Sequence, residues 1–421
     1  MPTITLPDGS SRTFNEPVTP GDVAADIGPG LAKAAVGARV NGELVGLDAT
    51  IDHDVDISLI TLPRGKAPAE EDALWLIRHS AAHVMAQAIQ QVIPEAQLVY
   101  GPPIDGGFYY DIAIPDGKSV SSDDFEKIET IMASIIQADL PFTRTECSVS
   151  DGMSRLESEG SKYKLDNAQR AVDGGASSLT WYATGTPGSD WDDLCRGPHV
   201  PSTGRIGAVK IMSVASSYWH GDANSDSLTR VYGTAFAHKK HLAEHLDNLE
   251  EARKRDHRII GRKLGLFQID EMVGQGLILW TPKGAVIRQE LQDFIGQELL
   301  RQGYKQVFTP HIGKLDLFRT SGHFPYYQDS QFPPLVDPDQ MAMLVDEGCT
   351  CSELSNRLRE GDVDGYLLKP MNCPMHIRIY KGQPHSYRDL PVRLAEFGTV
   401  YRYEQSGELG GMLRVRGFTQ D

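Results

Sequence analysis

The sequence predicts a multidomain α+β protein, and three observations carry that reading. Its 421 residues exceed what one hydrophobic core holds, so about two to four domains are expected. Residues 1–63 alternate short apolar runs with turn residues around one helical stretch, whereas residues 74–93 and 283–302 carry long amphipathic helical patterns. Towards the C-terminal end, two strand-like runs at 397–404 and 413–421 flank a glycine-rich loop, the pattern of an antiparallel hairpin.

Taken in order, residues 4–6 and 12–14 flank the turn Pro7-Asp8-Gly9-Ser10, a hairpin signal. Residues 19–27 read as a capped helix, and residues 36–40, 42–45 and 55–62 return to strands. This ββαββ order over a small core predicts a ubiquitin-like β-grasp. Residues 63–72 form a polar linker. A second segment, from about 73 to 241, opens with a helix stopped by Pro94. It continues through a glycine- and aromatic-rich stretch (101–111) and a helix near 122–138, then alternates strands and loops, giving an α+β domain. Residues 242–264 are charged and helical, predicting a bridge between domains. Beyond them, the helix at 283–302 ends at Gly303 and leads into a strand at 305–310.

Composition narrows the class. The chain is 40% hydrophobic and 23% charged, as ordinary globular proteins are. Its start has no basic region followed by an apolar run, and no stretch is apolar for the length of a bilayer, so a cytoplasmic protein without a membrane partner is expected. Five scattered cysteines (Cys147, Cys195, Cys349, Cys351, Cys373) read as ligands, catalytic groups or core residues rather than disulfides. The net charge of −16 argues against a generic nucleic-acid binder, yet a local basic surface can still hold phosphates. One candidate is the basic run at 253–258 with Arg262 and Lys263; a solvated helix face explains it equally well.

Chemistry concentrates in two places. His79 and His83 stand at i and i+4 of a predicted helix, so both imidazoles share a face, and Asp193, Cys195 and His199 follow much later. Two such pairs can build a four-ligand zinc site or a cluster for proton handling. A zinc protease is excluded, because Ser80 stands where the general-base glutamate belongs. The second place is the hairpin with Arg402 and Glu404 on its first strand and Arg414, Phe418 and Gln420 on its return, preceded by the segment 368–376 that contains Cys373.

These motifs carry a resemblance. Arg78-His79-Ser80-Ala81-Ala82-His83, the stretch 101–111, Tyr163-Lys164, the run 193–199, Tyr218-Trp219-His220-Gly221-Asp222 and the run 230–236 resemble the editing domain shared by threonyl- and alanyl-tRNA synthetases. The segments 368–376, 386–391 and 397–421 resemble the catalytic domain of the class II synthetases, in the threonine-specific pattern. The chain as a whole resembles the N-terminal two-thirds of the bacterial-type threonyl-tRNA synthetase family.

That resemblance implies a TGS (β-grasp) domain at 1–63, an editing domain at 64–241, a linker helix at 242–264 and part of a class II antiparallel-sheet catalytic core at 265–421. It implies ATP-dependent attachment of threonine to tRNA(Thr), with hydrolysis of mischarged seryl-tRNA(Thr). In the editing pocket His79 and His83 are expected to position water and the ribose hydroxyl. Lys164 supplies positive charge, Asp193 and His199 hold the substrate's ammonium, and Cys195 lines the pocket, with metal-free chemistry favoured over a zinc-bound form. In the core, Arg402 is expected on the ATP α-phosphate, Glu404 on the adenine amino group, Phe418 stacked on the base, Arg414 on a phosphate or the tRNA end, and Gln420 in the substrate pocket. Cys373 is expected to hold one zinc ion per subunit, which binds threonine's amino and hydroxyl groups together and so rejects valine. Mg²⁺ accompanies ATP, the full-length protein is a homodimer through the helix and strand from Glu290 to Pro310, and DNA is not a partner.

Two departures from the family pattern stand out: Met375 in place of a glycine that would give the loop backbone freedom, and a long connection at 327–366 containing Cys349 and Cys351. The sequence also stops within the second class II signature, before the remaining zinc ligands. A C-terminally truncated chain, inactive in aminoacylation by itself, is therefore expected. A stand-alone editing hydrolase would leave the run from Arg402 to Phe418 unexplained. An RNA-binding regulatory protein with relic sites would leave every functional residue type unexplained.

Overall fold

In the computed structural model, residues 1–63, 65, 67–115 and 119–420 are described. Arg64, the expected start of the editing segment, and Asp421, the last residue of the expected return strand, lie outside them. The chain divides into two units, Met1–Leu249 and Glu250–Asp421. Among the described residues no helix is long and apolar enough to cross a membrane.

The first unit opens with β1 (Thr3–Thr5), β2 (Ser11–Thr13), α1 (Pro20–Ile27), α2 (Pro29–Ala34), β3 (Ala35–Val40), β4 (Glu43–Val45) and β5 (Val55–Thr61). The order in the sheet is β2-β1-β5-β3-β4, with β1 parallel to β5 and the other neighbours antiparallel, which is the expected β-grasp. Local chemistry sets it up. Asp8 accepts from the Ser10 amide at 2.9 Å in the first turn. Thr19 and Asp22 form a reciprocal capping box, and Pro20 starts α1 where its missing N–H costs nothing. One face of the sheet closes over Ile4, Val23, Ala38, Ile57 and their neighbours. From the other face, Val36 and Ile60 join the larger core of the same unit.

That larger core is organised by α3 (Glu71–Val92), a 22-residue helix whose central residues are almost all buried. Fully burying each of its large aliphatic side chains contributes about 1.5–3 kcal/mol. Along the chain follow β6 (Gln97–Tyr100), β7 (Pro103–Ile104), β8 (Gly107–Ala113), α4 (Phe125–Gln137), β9 (Phe142–Ser148), α5 (Val149–Ser158), α6 (Lys162–Asp173), β10 (Ser178–Thr184), β11 (Asp192–Leu194), β12 (Ala208–Tyr218) and β13 (Ser227–Phe236). They form one sheet ordered β12-β13-β8-β6, with β7 on β8, and a second ordered β11-β10-β9. Helix α3 packs against β8, β13 and α4. Its His79–His83 face therefore looks towards the segment following β11.

The charged stretch expected as one bridging helix is two: α7 (Lys239–Lys254) and α8 (His257–Leu264). Asp256 separates them, because its carboxylate caps α8 by accepting from the Arg258 amide at 2.8 Å. The basic run around it is largely neutralised within its own helices: Lys254 pairs with Glu250, Arg255 with Glu251 and Arg258 with Asp256. A solvated helix face is the better description.

In the second unit β14 (Phe267–Ile269) and β15 (Ile278–Trp280) form a hairpin before α9 (Pro282–Arg301), and β16 (Lys305–Gln306), β17 (Ile312–Lys314) and α10 (Leu315–Thr320) follow. The strand expected over 305–310 is cut to β16. Beyond it Pro310 has no amide to donate, and Thr309 spends its hydroxyl and amide on Glu396. The long connection is structured rather than irregular. It contains β18 (Leu335–Val336), α11 (Pro338–Asp346), α12 (Cys351–Glu360) and β19 (Gly365–Leu368), with Leu344, Leu358 and Val363 in a core shared with Phe318. Cys349 packs against that core and Cys351 is exposed.

The unit continues with α13 (Cys373–Lys381), β20 (Leu394–Ala395), β21 (Gly398–Tyr401) and β22 (Gly417–Gln420). Met375 does not sit in a flexible loop. Pro374 opens α13, and Met375 is buried one residue later against the core of Leu315, Phe318 and Leu367, so this position uses apolar bulk rather than backbone freedom. The expected antiparallel character appears as the sheet β17-β19-β18 and the pairs β14-β15 and β21-β22, with one parallel pair, β16-β20. The return strand is shorter than expected, because only residues 417–420 pair with β21.

Candidate active site

The first unit gathers all six residues expected for editing around the N-terminal half of α3. The i, i+4 spacing puts His79 and His83 on one face, and the turn after β11 brings Cys195 and His199 over it. The imidazoles of His79 and His199 stack at 4.4 Å between centroids. Cys195 Sγ lies 3.4 Å from His79 Nε2 and 3.3 Å from His199 Nε2.

Hydrogen bonds fix the tautomers. His79 Nδ1–H donates to the Pro198 carbonyl at 3.0 Å, which leaves Nε2 as a lone pair facing the sulfur. The Ser80 hydroxyl donates to the Leu76 carbonyl and receives the Val200 amide, so at 3.2 Å His199 Nδ1–H is the donor to Ser80. His199 Nε2 thus also faces Cys195. Burial pulls the His79 pKa down to about 4, and burial with the two neighbouring imidazoles holds His199 well below its ordinary value. Both are neutral bases at physiological pH. His83 departs from the expected four-ligand set: its Nε2–H is committed to the Tyr182 carbonyl at 3.1 Å. Three donors, from His79, Cys195 and His199, lie within 4.8 Å of one another and fit a soft divalent metal.

Beside them lies a buried ion pair. Lys164 Nζ on α6 donates to Asp193 Oδ2 on β11 at 2.8 Å, and their side chains are only 6% and 7% exposed. Tyr110 of β8, which sequence reasoning did not single out, completes the group. Its hydroxyl donates to Asp193 Oδ2 at 2.6 Å and accepts from Lys164 at 3.0 Å. Burial and the Asp193 charge push the Tyr110 phenol well up, so it stays a donor. The only sequence signal for it was its place inside the aromatic stretch 101–111. All but His199 of the expected editing residues line one cavity of about 1260 Å³.

In the second unit the hairpin and the segment 368–373 adjoin. The Tyr401 amide donates to the Lys369 carbonyl at 2.9 Å, and Asn372 Nδ2 donates to the Gln420 carbonyl at 2.9 Å. The Arg402 guanidinium lies 5.1 Å from the centroid of the Phe418 ring. Glu404 and Arg414 are paired with each other at 2.8 Å, and Arg414 also reaches Glu408 at 3.0 Å. Gln420 Oε1 and Asn372 Oδ1 are buried without a hydrogen-bond partner.

Beneath this face Glu396 accepts from Lys369 at 3.0 Å, from His376 at 2.7 Å and from Thr309 at 2.8 Å. Burial alone would raise the Glu396 carboxyl, but these bonds outweigh it and hold the pKa below its ordinary value. Sequence reasoning missed this network too; its members are 20 to 87 residues apart. Cys373 is exposed in the first turn of α13. Cys373 is the one zinc ligand expected before Asp421, and among the described residues no group of three His, Cys, Asp or Glu includes it.

Three family models match the chain. The TGS domain matches residues 2–68, the threonyl and alanyl tRNA synthetase second additional domain matches residues 182–232, and the tRNA synthetase class II core domain (G, H, P, S and T) matches residues 356–421. Among curated relatives, the threonine–tRNA ligase of Nitrosococcus oceani is 45% identical over 421 residues, which is 100% of this chain and 60% of that protein. That of Acidithiobacillus ferrooxidans is 47% identical over 421 residues, again 100% of this chain and 60% of the relative. The Thermus thermophilus enzyme is 45% identical over 427 residues with the same coverage. The chain thus spans about 60% of the length of the relatives it matches. These similarities run along all of the chain, which resembles the threonine–tRNA ligases throughout.

Proposed function

We propose that the first unit hydrolyses the ester of mischarged seryl-tRNA(Thr), and that the second contributes to ATP-dependent attachment of threonine to the same tRNA. The observation that carries the hydrolytic half is the convergence, on one large cavity, of the neutral His79 imidazole with a buried ammonium–carboxylate pair. Neutral His79 can accept a proton from the attacking water through Nε2. Lys164 can stabilise the negative charge that develops on the ester oxygens, and Asp193 can fix Lys164 while attracting the substrate's ammonium. Cys195 and His199 hold the geometry around His79. None of these roles requires a metal, although the three donors fit one. The test is a deacylation time course on seryl-tRNA(Thr). The wild-type chain should hydrolyse it, and His79→Ala should lose about 10²–10⁴-fold, the usual share of a general base. An unchanged rate in that variant would remove His79 from the reaction.

For the synthetic half, Arg402 is suited to the α-phosphate of ATP, Phe418 to stacking on adenine, and Glu404 to the adenine amino group once Arg414 releases it to a phosphate or the tRNA end. The unpartnered Asn372 Oδ1 and Gln420 Oε1 are acceptors suited to the amino and hydroxyl groups of threonine. Zinc at Cys373 would bind those same two groups and reject valine, and Mg²⁺ would accompany ATP. The exposed apolar residues Val286, Leu291, Phe294 and Leu300 of α9 favour a second copy of the protein as partner. In this reading the protein works in the cytoplasm, on tRNA rather than DNA.

A further inference from the structure

The β-grasp domain touches both segments that carry the histidine–cysteine cluster. Its first contact is with the start of α3. Gly37 of β3 is buried under Leu76, and a Cβ there would stand 2.6 Å from Leu76 Cδ1 and 3.1 Å from the Val45 carbonyl oxygen. Only glycine lets the strand approach the helix this closely. Two residues on, Arg39 donates to both carboxylate oxygens of Asp72, in the first turn of α3, at 2.6 and 2.7 Å, and to the Gly42 carbonyl at 2.6 Å. Leu76 stands three residues before His79, and its carbonyl holds the Ser80 hydroxyl that bonds His199.

The second contact comes from the loop after β4. The Gly21 amide donates to the Leu47 carbonyl at 3.0 Å, which ties that loop to the start of α1. Gly46 is buried, and a Cβ there would stand 3.7 Å from Pro198 Cβ. Its backbone is not in the left-handed region, so packing alone resists a larger side chain. Burial first, and then the Asp48 carboxylate of the same loop, raise the phenol of Tyr182, whose ring packs on His199 at 4.5 Å. The Pro198 carbonyl is the acceptor that fixes the His79 tautomer. One small sheet thus reaches α3 on one side and the turn that carries Cys195 and His199 on the other.

We propose that the β-grasp domain is a working part of the hydrolytic site, with Gly37, Arg39 and Gly46 as positioning residues. They hold α3 and the turn at Pro198 in register, so that His79 keeps its Nδ1–H on the Pro198 carbonyl and turns Nε2 to the reaction. The inference rests on the hydrolase reading and goes beyond it, by giving the β-grasp a task in that reaction.

The full chain is tested with two readouts at pH 7. The first is the split between kcat and KM for deacylation of seryl-tRNA(Thr). The second, independent of activity, is the ¹⁵N NMR signature of the imidazoles in histidine-labelled protein, with His79 assigned by its loss in His79→Asn. Gly46→Val, whose branches press on Pro198, should lose about 10²-fold in kcat, the scale for a misplacement of about 1 Å. Its KM should stay within about twofold, because no side chain lining the cavity is changed. The fixed Nδ1–H form of His79 should give way to averaged tautomers. Gly46→Ala, whose Cβ only reaches ordinary contact, should keep kcat within about threefold and the fixed tautomer. Arg39→Ala removes a half-exposed pair of little weight in stability, so it folds even where Gly46→Val does not; it should lose about tenfold in kcat with the same averaging. Wild-type kcat and His79 signals in Gly46→Val or, where that variant fails to fold, in Arg39→Ala would overturn the proposal, as would a loss in Gly46→Ala equal to that in Gly46→Val. A wild-type chain that leaves seryl-tRNA(Thr) intact, while Gly46→Val averages the His79 tautomers, would refute the hydrolase reading and leave the bracing by the β-grasp standing.

Discussion

Replacing Lys164 by methionine removes the ammonium of the pair with Asp193 while keeping most of the side chain's volume. Both side chains are under a tenth exposed and 2.8 Å apart, so Asp193 would remain buried with the Tyr110 hydroxyl at 2.6 Å as its chief partner. Leaving one partner of a buried pair uncompensated costs about 3–5 kcal/mol. For a unit of this size each kcal/mol moves Tm by about 2–4 °C, which gives a fall of roughly 6–20 °C in calorimetry of the full chain. Deacylation of seryl-tRNA(Thr) should drop by about 10²–10³-fold, the scale for losing one preorganised charge-stabilising donor. The second arm separates the two effects. Lys164→Met combined with Asp193→Leu removes both charges and should recover most of the stability but none of the activity. A Tm within 2 °C of wild type for the single variant, or a double variant less stable than the single one, would refute the reasoning about the pair.

Other expectations follow from the same geometry. Because burial pulls His79 down to about 4, deacylation should stay level as pH falls from about 8 to 5 and decline only near 4; an acid limb near 6.5 would mean that His79 is not the base. The folded chain holds His79 and His199 neutral where the unfolded chain protonates them. Stability should therefore fall as pH drops from about 6.5 towards 4 and be insensitive to these residues above that window, as denaturant midpoints of wild type and His79→Asn would show. Glu396→Gln leaves Lys369 buried without a counter-charge and should cost the second unit about 3–5 kcal/mol. In the wild type the depressed Glu396 carboxyl contributes stability that is present at neutral pH and lost as pH falls through its folded pKa, read as a separate acid transition. Treatment with EDTA should leave deacylation within about twofold if Lys164 rather than a metal supplies the positive charge; a large loss restored by zinc would reverse that assignment.

How much of this the sequence disclosed depends on how local each signal was. Turn chemistry at Asp8-Gly9 and the Thr19 cap announced the β-grasp, because those side chains bond within two or three residues of themselves. Helical spacing placed His79 and His83 on one face, but it could not show that the Tyr182 carbonyl, 99 residues away, would claim His83 and leave three donors together. Tyr110 and the Glu396 network escaped for the same reason: partners brought together by tertiary packing leave no periodicity to read. Asp256 is the opposite case. Its capping role is local, and a break in the charged helix could have been inferred from it. Met375 misled because a glycine position was read as a loop, whereas Pro374 at the first turn marks a helix start.

Proofreading by the first unit is tested most directly by the ratio of first-order hydrolysis rates for seryl-tRNA(Thr) and threonyl-tRNA(Thr), measured side by side with the wild-type chain. The residues around His79 and Lys164 should release serine at least tenfold faster than threonine, with both rates collapsing in Lys164→Met. Equal rates for the two esters, or no hydrolysis of either above the spontaneous rate, would contradict a proofreading role for the first unit.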